Sequence, residues 1–267
     1  MSLLAEVTTR NLRRVYFSCR HGQLHVRTAF PSTGGFDEQP PLICLHEMPR
    51  SSRSFLPFIN NLSANRSIYA CDIPGFGESD PLQGTISIEN YASAIDDLIR
   101  GLRLRTVDVL GVGMGAAIAA ELALVEASSV RRLVMIHPPM NQAGDDYRWL
   151  NAKADGSHLL KLWYRSTVGR GSAESPDSLT SGLADELHAG LEGDRALTAM
   201  AAWVRSGRLS TVKAATLVLG ATNELADVKQ TALPMGALTE ELPTLSRGLS
   251  GLTPGALDAS LRRFLDR

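Results

Sequence analysis

The chain has little that would tie it to a metal, a membrane or a nucleic acid. Its 267 residues include only 3 cysteines. Cys19, Cys44 and Cys71 match no metal spacing. Cys44 and Cys71 fall in apolar strand patterns, where a thiol is a small, inert hydrophobe. A reducing cytoplasm is the expected compartment. No Cys/His/Asp spacing marks a metal site, and no cofactor is expected. No apolar run reaches the roughly 18 residues of a membrane span. The opening MSLLAEVTTRNLRR does not have the layout of a signal peptide. Neither sign of charge dominates, with 27 basic and 28 acidic residues and a net charge of −1. Nucleic acid and membrane are therefore excluded as expected partners. A small-molecule ligand remains, and a homodimer stays open. Histidine is sparse: there are 6, and none follows His188. What is abundant is apolar residues, at 44%, enough for one core with a smaller inserted unit.

The patterning gives an α/β class. Arg14–Cys19 and Gln23–Ala29 read as a hairpin turning at His21-Gly22, with the alternation of an antiparallel edge. Leu42–Leu45, Ser67–Cys71, Val107–Leu110, Leu133–Ile136 and Thr216–Leu219 are short and apolar, as strands buried in a parallel sheet are. A weaker strand is expected over Ala237–Leu242. Helical spacing appears over Ser51–Leu62, Ile88–Leu102 and Gly255–Leu265. Strands alternating with helices mean a parallel sheet covered on both faces. The rhythm breaks over Asn141–Lys213, where helical patterns recur near Tyr147–Ala154, Leu159–Tyr164, Ser178–Leu191 and Ala196–Val204. The expected organisation is a core of residues 1–140 and 214–267, with 141–213 inserted as a helical lid.

The chain is organised around VDVLGVGMGAAIA, Val107–Ala119. A strand runs through Gly111-x-Gly113-x-Gly115 into an apolar helix, the frame of a nucleophile elbow. Such a turn is tight, and Gly111, Gly115 and Ala116 supply the small neighbours it needs. The central position should carry a nucleophile. Here it is Gly113, which has no side chain. The same glycines fit a dinucleotide loop, G-x-G-x-x-A. That motif wants an acid at the end of the next strand, and this strand ends in His137-Pro138.

Taken together, LICLHEMPRSS (42–52), YACDIPGFGESD (69–80), VDVLGVGMGAAIAAELA (107–123), LVMIHPP (133–139), TLVLGATN (216–223) and SLRRFL (260–265) resemble the α/β-hydrolase superfamily in its lid-bearing branch. The resemblance implies an eight-stranded, mostly parallel sheet with helices on both faces and a helical cap after strand six. It also implies a triad in the order nucleophile, acid, histidine. The nucleophile position is Gly113. The acid position, after Thr216–Leu219, falls on Asn223. The histidine position, counted from Pro243 or Pro254, falls on Arg247. On that alignment the triad is lost. Glycine cannot attack, and arginine stays protonated at neutral pH. Oxyanion donors implied by the fold are the backbone N–H groups of Met48 and Met114. Glu47 stands in the first of those loops where the family has glycine.

His46, Glu47 and His137 remain as groups able to move protons at the carboxyl ends of the strands, where open α/β sheets bind ligands. Each has a plainer reading: His46 as a brace of the oxyanion loop, Glu47 as a solvated carboxylate, His137 as a partner of the lid. Asp72 reads as a turn-stabilising carboxylate. His158 and His188 read as solvated helix residues, and Trp149, Trp163, Tyr164 and Trp203 as lid packing. The expected function is an atypical enzyme that holds a small, partly apolar molecule under the lid, with an anionic one among the candidates. It would act by proton transfer or polarisation, as a lyase, isomerase, cyclase or cofactor-free oxygenase does. Arg247 is expected to meet a partner, since a buried charge is expensive unpaired: a ligand anion held by its fork, Glu47 in an internal ion pair, or water if the side chain faces outward. Two alternatives stand beside this: a catalytically silent binding protein, and a hydrolase whose water is activated by histidine or glutamate.

Overall fold

In a computed structural model, residues 12–31, 38–139, 152–167, 176–190, 192–245, 248–249 and 252–267 are described. Among them is one sheet of eight strands in the order β1-β2-β4-β3-β5-β6-β7-β8. These are β1 Arg13–Cys19, β2 Gly22–Ala29, β3 Leu42–Leu45, β4 Ile68–Cys71, β5 Val107–Val112, β6 Val130–Ile136, β7 Ala215–Gly220 and β8 Leu238–Glu241. β2 runs antiparallel to both β1 and β4. The pairs from β4 through to β8 are parallel. The central strands β3, β4 and β5 are buried at every position, which is why they carry no alternation.

The hairpin departs from the edge expected of it. β1 is the edge, with Tyr16 exposed, while β2 lies between β1 and β4 and is almost wholly buried. Its alternation comes from polar residues that are themselves buried, His25 and Arg27 among them. His25 Nδ1 lies 2.8 Å from Asp72 Oδ2, and the chain would otherwise bear the desolvation penalty of both groups.

Helices cover both faces. α2 (Ile88–Gly101) and α3 (Met114–Val125) pack on one face with α7 (Leu225–Ala232). α1 (Ile59–Leu62) and α8 (Pro254–Leu265) pack on the other. α2 turns Tyr91, Ile95, Leu98 and Ile99 inward, and each fully buried aliphatic side chain contributes roughly 1.5–3 kcal/mol. The single helix expected over Ser51–Leu62 is instead a 3-10 turn, Ser52–Phe55, followed by α1. Pro57 lies between them and has no N–H to continue a helix. α7 was not expected from the sequence.

Between β6 and β7 lie α4 (Ser157–Thr167), α5 (Pro176–Ala189) and α6 (Glu192–Arg205). α5 is held to the loop after β3. Asp185 accepts hydrogen bonds from Ser51 Oγ at 2.9 Å and Arg53 Nη1 at 2.8 Å. The Arg50 guanidinium fills the space beside Gly182 that any side chain would need. α6 is held to α3. Glu121, fully buried, accepts from Trp203 Nε1 at 2.8 Å and from Arg208 Nε at 2.7 Å. The helix expected over Tyr147–Ala154 falls mostly outside the described residues, as do Trp149 and Arg247.

Candidate active site

The turn from β5 to α3 has the tight geometry its glycines imply. Gly113 has φ of +54° and ψ of −118°, a conformation that costs strain for residues with a Cβ. A Cβ on Gly115 would strike the carbonyls of Leu45 and His46, and one on Gly111 would strike the first turn of α3. The site therefore requires close backbone approach at 111 and 115 and a left-handed residue at 113. Glu47 lies directly over the turn: a Cβ on Gly113 would stand 3.2 Å from Glu47 Cβ.

His46 is fully buried, and both ring nitrogens are engaged. Nε2 accepts the Ile73 N–H at 2.9 Å, so Nδ1 carries the proton and donates it to the Glu47 carbonyl at 2.9 Å. No lone pair is left for a substrate. The proton-transfer role considered for His46 has no nitrogen to act through, and the ring instead fixes the backbone of the 46–50 loop. That loop carries Glu47 and Met48. The Met48 and Met114 N–H groups donate to no other group among the described residues. Met114 opens α3, so its N–H is one of the free donors of a helix start.

Glu47 is half-buried. Oε1 accepts from Ser54 Oγ at 3.2 Å. Oε2 is buried and has no partner among the described residues. The carboxylate reaches toward Gly248, where an added Cβ would stand 2.5 Å from Oε1.

His137 caps β6 beside the elbow. The strands pair Val112 with Ile136, and the Gly113 N–H donates to the Ile136 carbonyl at 2.9 Å. His137 itself has φ of +47°, a left-handed conformation that histidine adopts more readily than bulky residues do. Its Nδ1 lies 2.5 Å from Glu224 Oε2. Its Nε2 is buried and has no partner among the described residues. A carboxylate that holds one ring nitrogen and leaves the other open is the arrangement that orients a general base.

Asn223, at the position where the resemblance implies the acid, is exposed, and Glu224, one residue on, reaches His137. Thr222–Glu224 form a 3-10 turn, whose three-residue period sends neighbouring side chains in different directions. The sequence signal for Glu224 is an acid in the turn after an apolar strand at the carboxyl edge. Arg247, and the anion grip considered for it, lie outside the described residues.

Asp72 stabilises its turn. Burial alone would raise its carboxyl. The hydrogen bonds from His25, Ser52 N–H and Glu78 N–H, with His46 close by, outweigh that and hold it well below the usual carboxylate range. Burial pushes the thiols of Cys44 and Cys71 up, as inert thiols require. Among the described residues there is no cluster of metal-ligating side chains and no helix long and apolar enough to cross a membrane. Trp203 packs buried at the base of α6, Tyr164 is exposed, and His188 is exposed.

Comparison with known proteins accords with this geometry. A family model described as the alpha/beta hydrolase fold matches residues 40–231. The chain belongs to the α/β-hydrolase fold family. It is 29% identical over 130 residues to a pimeloyl-[acyl-carrier protein] methyl ester esterase of Shewanella oneidensis, covering 48% of this chain and 44% of that protein. It is 23% identical over 100 residues to an (E)-2-((N-methylformamido)methylene)succinate hydrolase of Acinetobacter baylyi, covering 38% of each. The chain thus spans about two-fifths of the length of these curated relatives. The crystal structure of the enol-lactonase from Burkholderia xenovorans superposes with a TM-score of 0.79 at 20% identity, covering 95% of this chain and 100% of that one; that similarity concerns the fold.

Proposed function

We propose that the protein is a hydrolase of a small, partly apolar ester, lactone or amide held beneath α4–α6, and that it activates water in place of a serine. Relatives named as esterases and hydrolases favour hydrolysis over lyase or isomerase chemistry. In this reading Gly113 stands at the nucleophile position, so no acyl-enzyme forms. The observation that carries it is the pair His137–Glu224, one ring nitrogen held and the other buried and without a partner among the described residues.

The step balances as follows. His137 Nε2 takes a proton from water while the water oxygen forms a bond to the carbonyl carbon. The carbonyl oxygen becomes an oxyanion between the Met48 and Met114 N–H groups, donors suited to charge developed in the transition state. The intermediate collapses, the bond to the leaving group breaks, and Nε2–H returns the proton to that group. Glu224 remains a carboxylate and keeps Nδ1 protonated and oriented.

The test is a panel of aryl esters, lactones and N-acyl amines assayed on the wild type and on His137→Asn, which retains a residue tolerant of positive φ. The wild type should turn over at least one class. The variant should lose roughly 10²–10⁴ in rate, with Glu224→Gln falling between the two. A serine-directed fluorophosphonate should label nothing. Unchanged turnover in His137→Asn overturns the reading, as does stoichiometric labelling of a serine. Binding without turnover across the panel would make the chain a silent binding protein.

A further inference from the structure

We propose that Glu47 forms a subsite for a protonated amine, so that the ligand held at this elbow is cationic. A carboxylate offers only acceptors. Ser54 Oγ satisfies Oε1 and fixes the group's orientation. Oε2 stays buried and without a partner among the described residues, and a partner supplied by the ligand must bring a proton. Four other carboxylates at this end of the sheet are already matched. Asp72 has His25, Asp185 has Arg53, Glu78 has Arg53 and Glu224 has His137. Arg50, the cation nearest in sequence, turns away to fill the space at Gly182 of α5. A desolvated carboxylate with one open oxygen favours a cation over a neutral donor, and strongly disfavours an anion.

The placement fits recognition better than chemistry. Glu47 Cβ overlies Gly113, but the carboxyl extends past it toward Gly248. The charge therefore sits beside the elbow, a few bonds from where a carbonyl would lie. His46 holds the Glu47 carbonyl through Nδ1, so the backbone that sets this side chain is itself fixed. That the amine belongs to a hydrolysable ester or amide rests on the His137 reading above; the subsite itself does not.

The experiment is calorimetric and needs no turnover. Benzylammonium and butylammonium are titrated at pH 7 against benzyl alcohol, butanol and benzoate. Titrations use the wild type, Glu47→Gln and His137→Asn, with melting temperatures confirming the fold. In the wild type each amine should bind at least about tenfold tighter than its alcohol, the scale of one charge-assisted hydrogen bond. Benzoate should bind most weakly. Glu47→Gln should abolish the preference for amine over alcohol, and His137→Asn should keep it. Amines and alcohols binding equally to the wild type overturn the subsite, as does no measurable binding of either amine. A preference that survives in Glu47→Gln overturns it too. Should the Gln variant fail to fold, the wild-type comparison of amine with alcohol decides alone.

Discussion

The two edges of the sheet treat buried charge in opposite ways. At the amino edge, Asp108 at the start of β5 is fully buried and both its oxygens are taken. Arg66 Nη1 donates to Oδ2 at 3.0 Å, and Arg131 donates to Oδ1 at 2.9 Å and Oδ2 at 2.6 Å. Arg66 also meets Asp266 just after α8, and Arg131 meets the Leu265 carbonyl at 2.6 Å. At the carboxyl edge, one oxygen of Glu47 and one nitrogen of His137 have no partner among the described residues. An unpaired buried polar atom is costly to the fold. A closed network is what packing alone selects, and open valences at the other edge are what a ligand would fill. The amino edge fastens α8 to the sheet, and the carboxyl edge carries the groups to which the proposed chemistry is assigned.

Breaking the closed edge should have the largest effect. Asp108→Asn leaves two guanidinium groups short of charge. It should cost about 3–5 kcal/mol of unfolding free energy, as breaking a buried ion pair does. Equilibrium urea unfolding measures this, and turnover per folded molecule should not change. A loss confined to turnover would put the two edges in the wrong roles.

A smaller effect tests the open edge. Gly113→Ser places a Cβ 3.2 Å from Glu47 Cβ at a φ of +54°. Strain of this kind costs of order 1–3 kcal/mol, so the melting temperature should fall by several degrees. In the proposed reaction His137 Nε2 is directed at water rather than at position 113, so the new hydroxyl should not gain serine esterase activity toward p-nitrophenyl acetate, since a nucleophile without a base in reach supplies little. Fluorophosphonate labelling of the introduced serine would show that the His137 base faces position 113 instead of water.

The smallest effect at neutral pH separates a structural carboxylate from the reactive groups. The Asp72 carboxyl is depressed in the fold. Its contribution is complete above the ordinary carboxylate value of about 3.9. It is lost as pH falls from there toward the lower folded value. Wild-type stability should therefore drop below about pH 4, and Asp72→Asn should drop less steeply. Equal slopes by thermal melts across that range would remove Asp72 from this role.

Much of the sheet was legible in the sequence because buried parallel strands announce themselves. LICL at 42–45 and VDVL at 107–110 are short, apolar and bounded by turns, and the structure places both at the centre. The elbow was legible through Gly111 and Gly115, whose lack of a side chain is a steric necessity. Ser51–Leu62 was misread because its apolar spacing outlasts the break at Pro57. β2 was misread because buried polar residues such as His25 and Arg27 imitate an exposed face. His137 was legible as a residue at a strand end. Its partner was not, since a 3-10 turn chooses between Asn223 and Glu224 by geometry that composition does not record. Nor could spacing reveal that both nitrogens of His46 are consumed while one of His137 is open; that depends on which backbone groups face each ring.

The most direct measurement of the central claim is a single turnover in ¹⁸O-labelled water with excess enzyme, using the best substrate of the panel. The product and the intact protein are both weighed by mass spectrometry. Direct attack by water predicts one labelled oxygen in the product acid, with no covalent adduct on the protein at any time before completion. An acyl-protein intermediate that forms and decays at the turnover rate would contradict the account and return the reaction to a side-chain nucleophile.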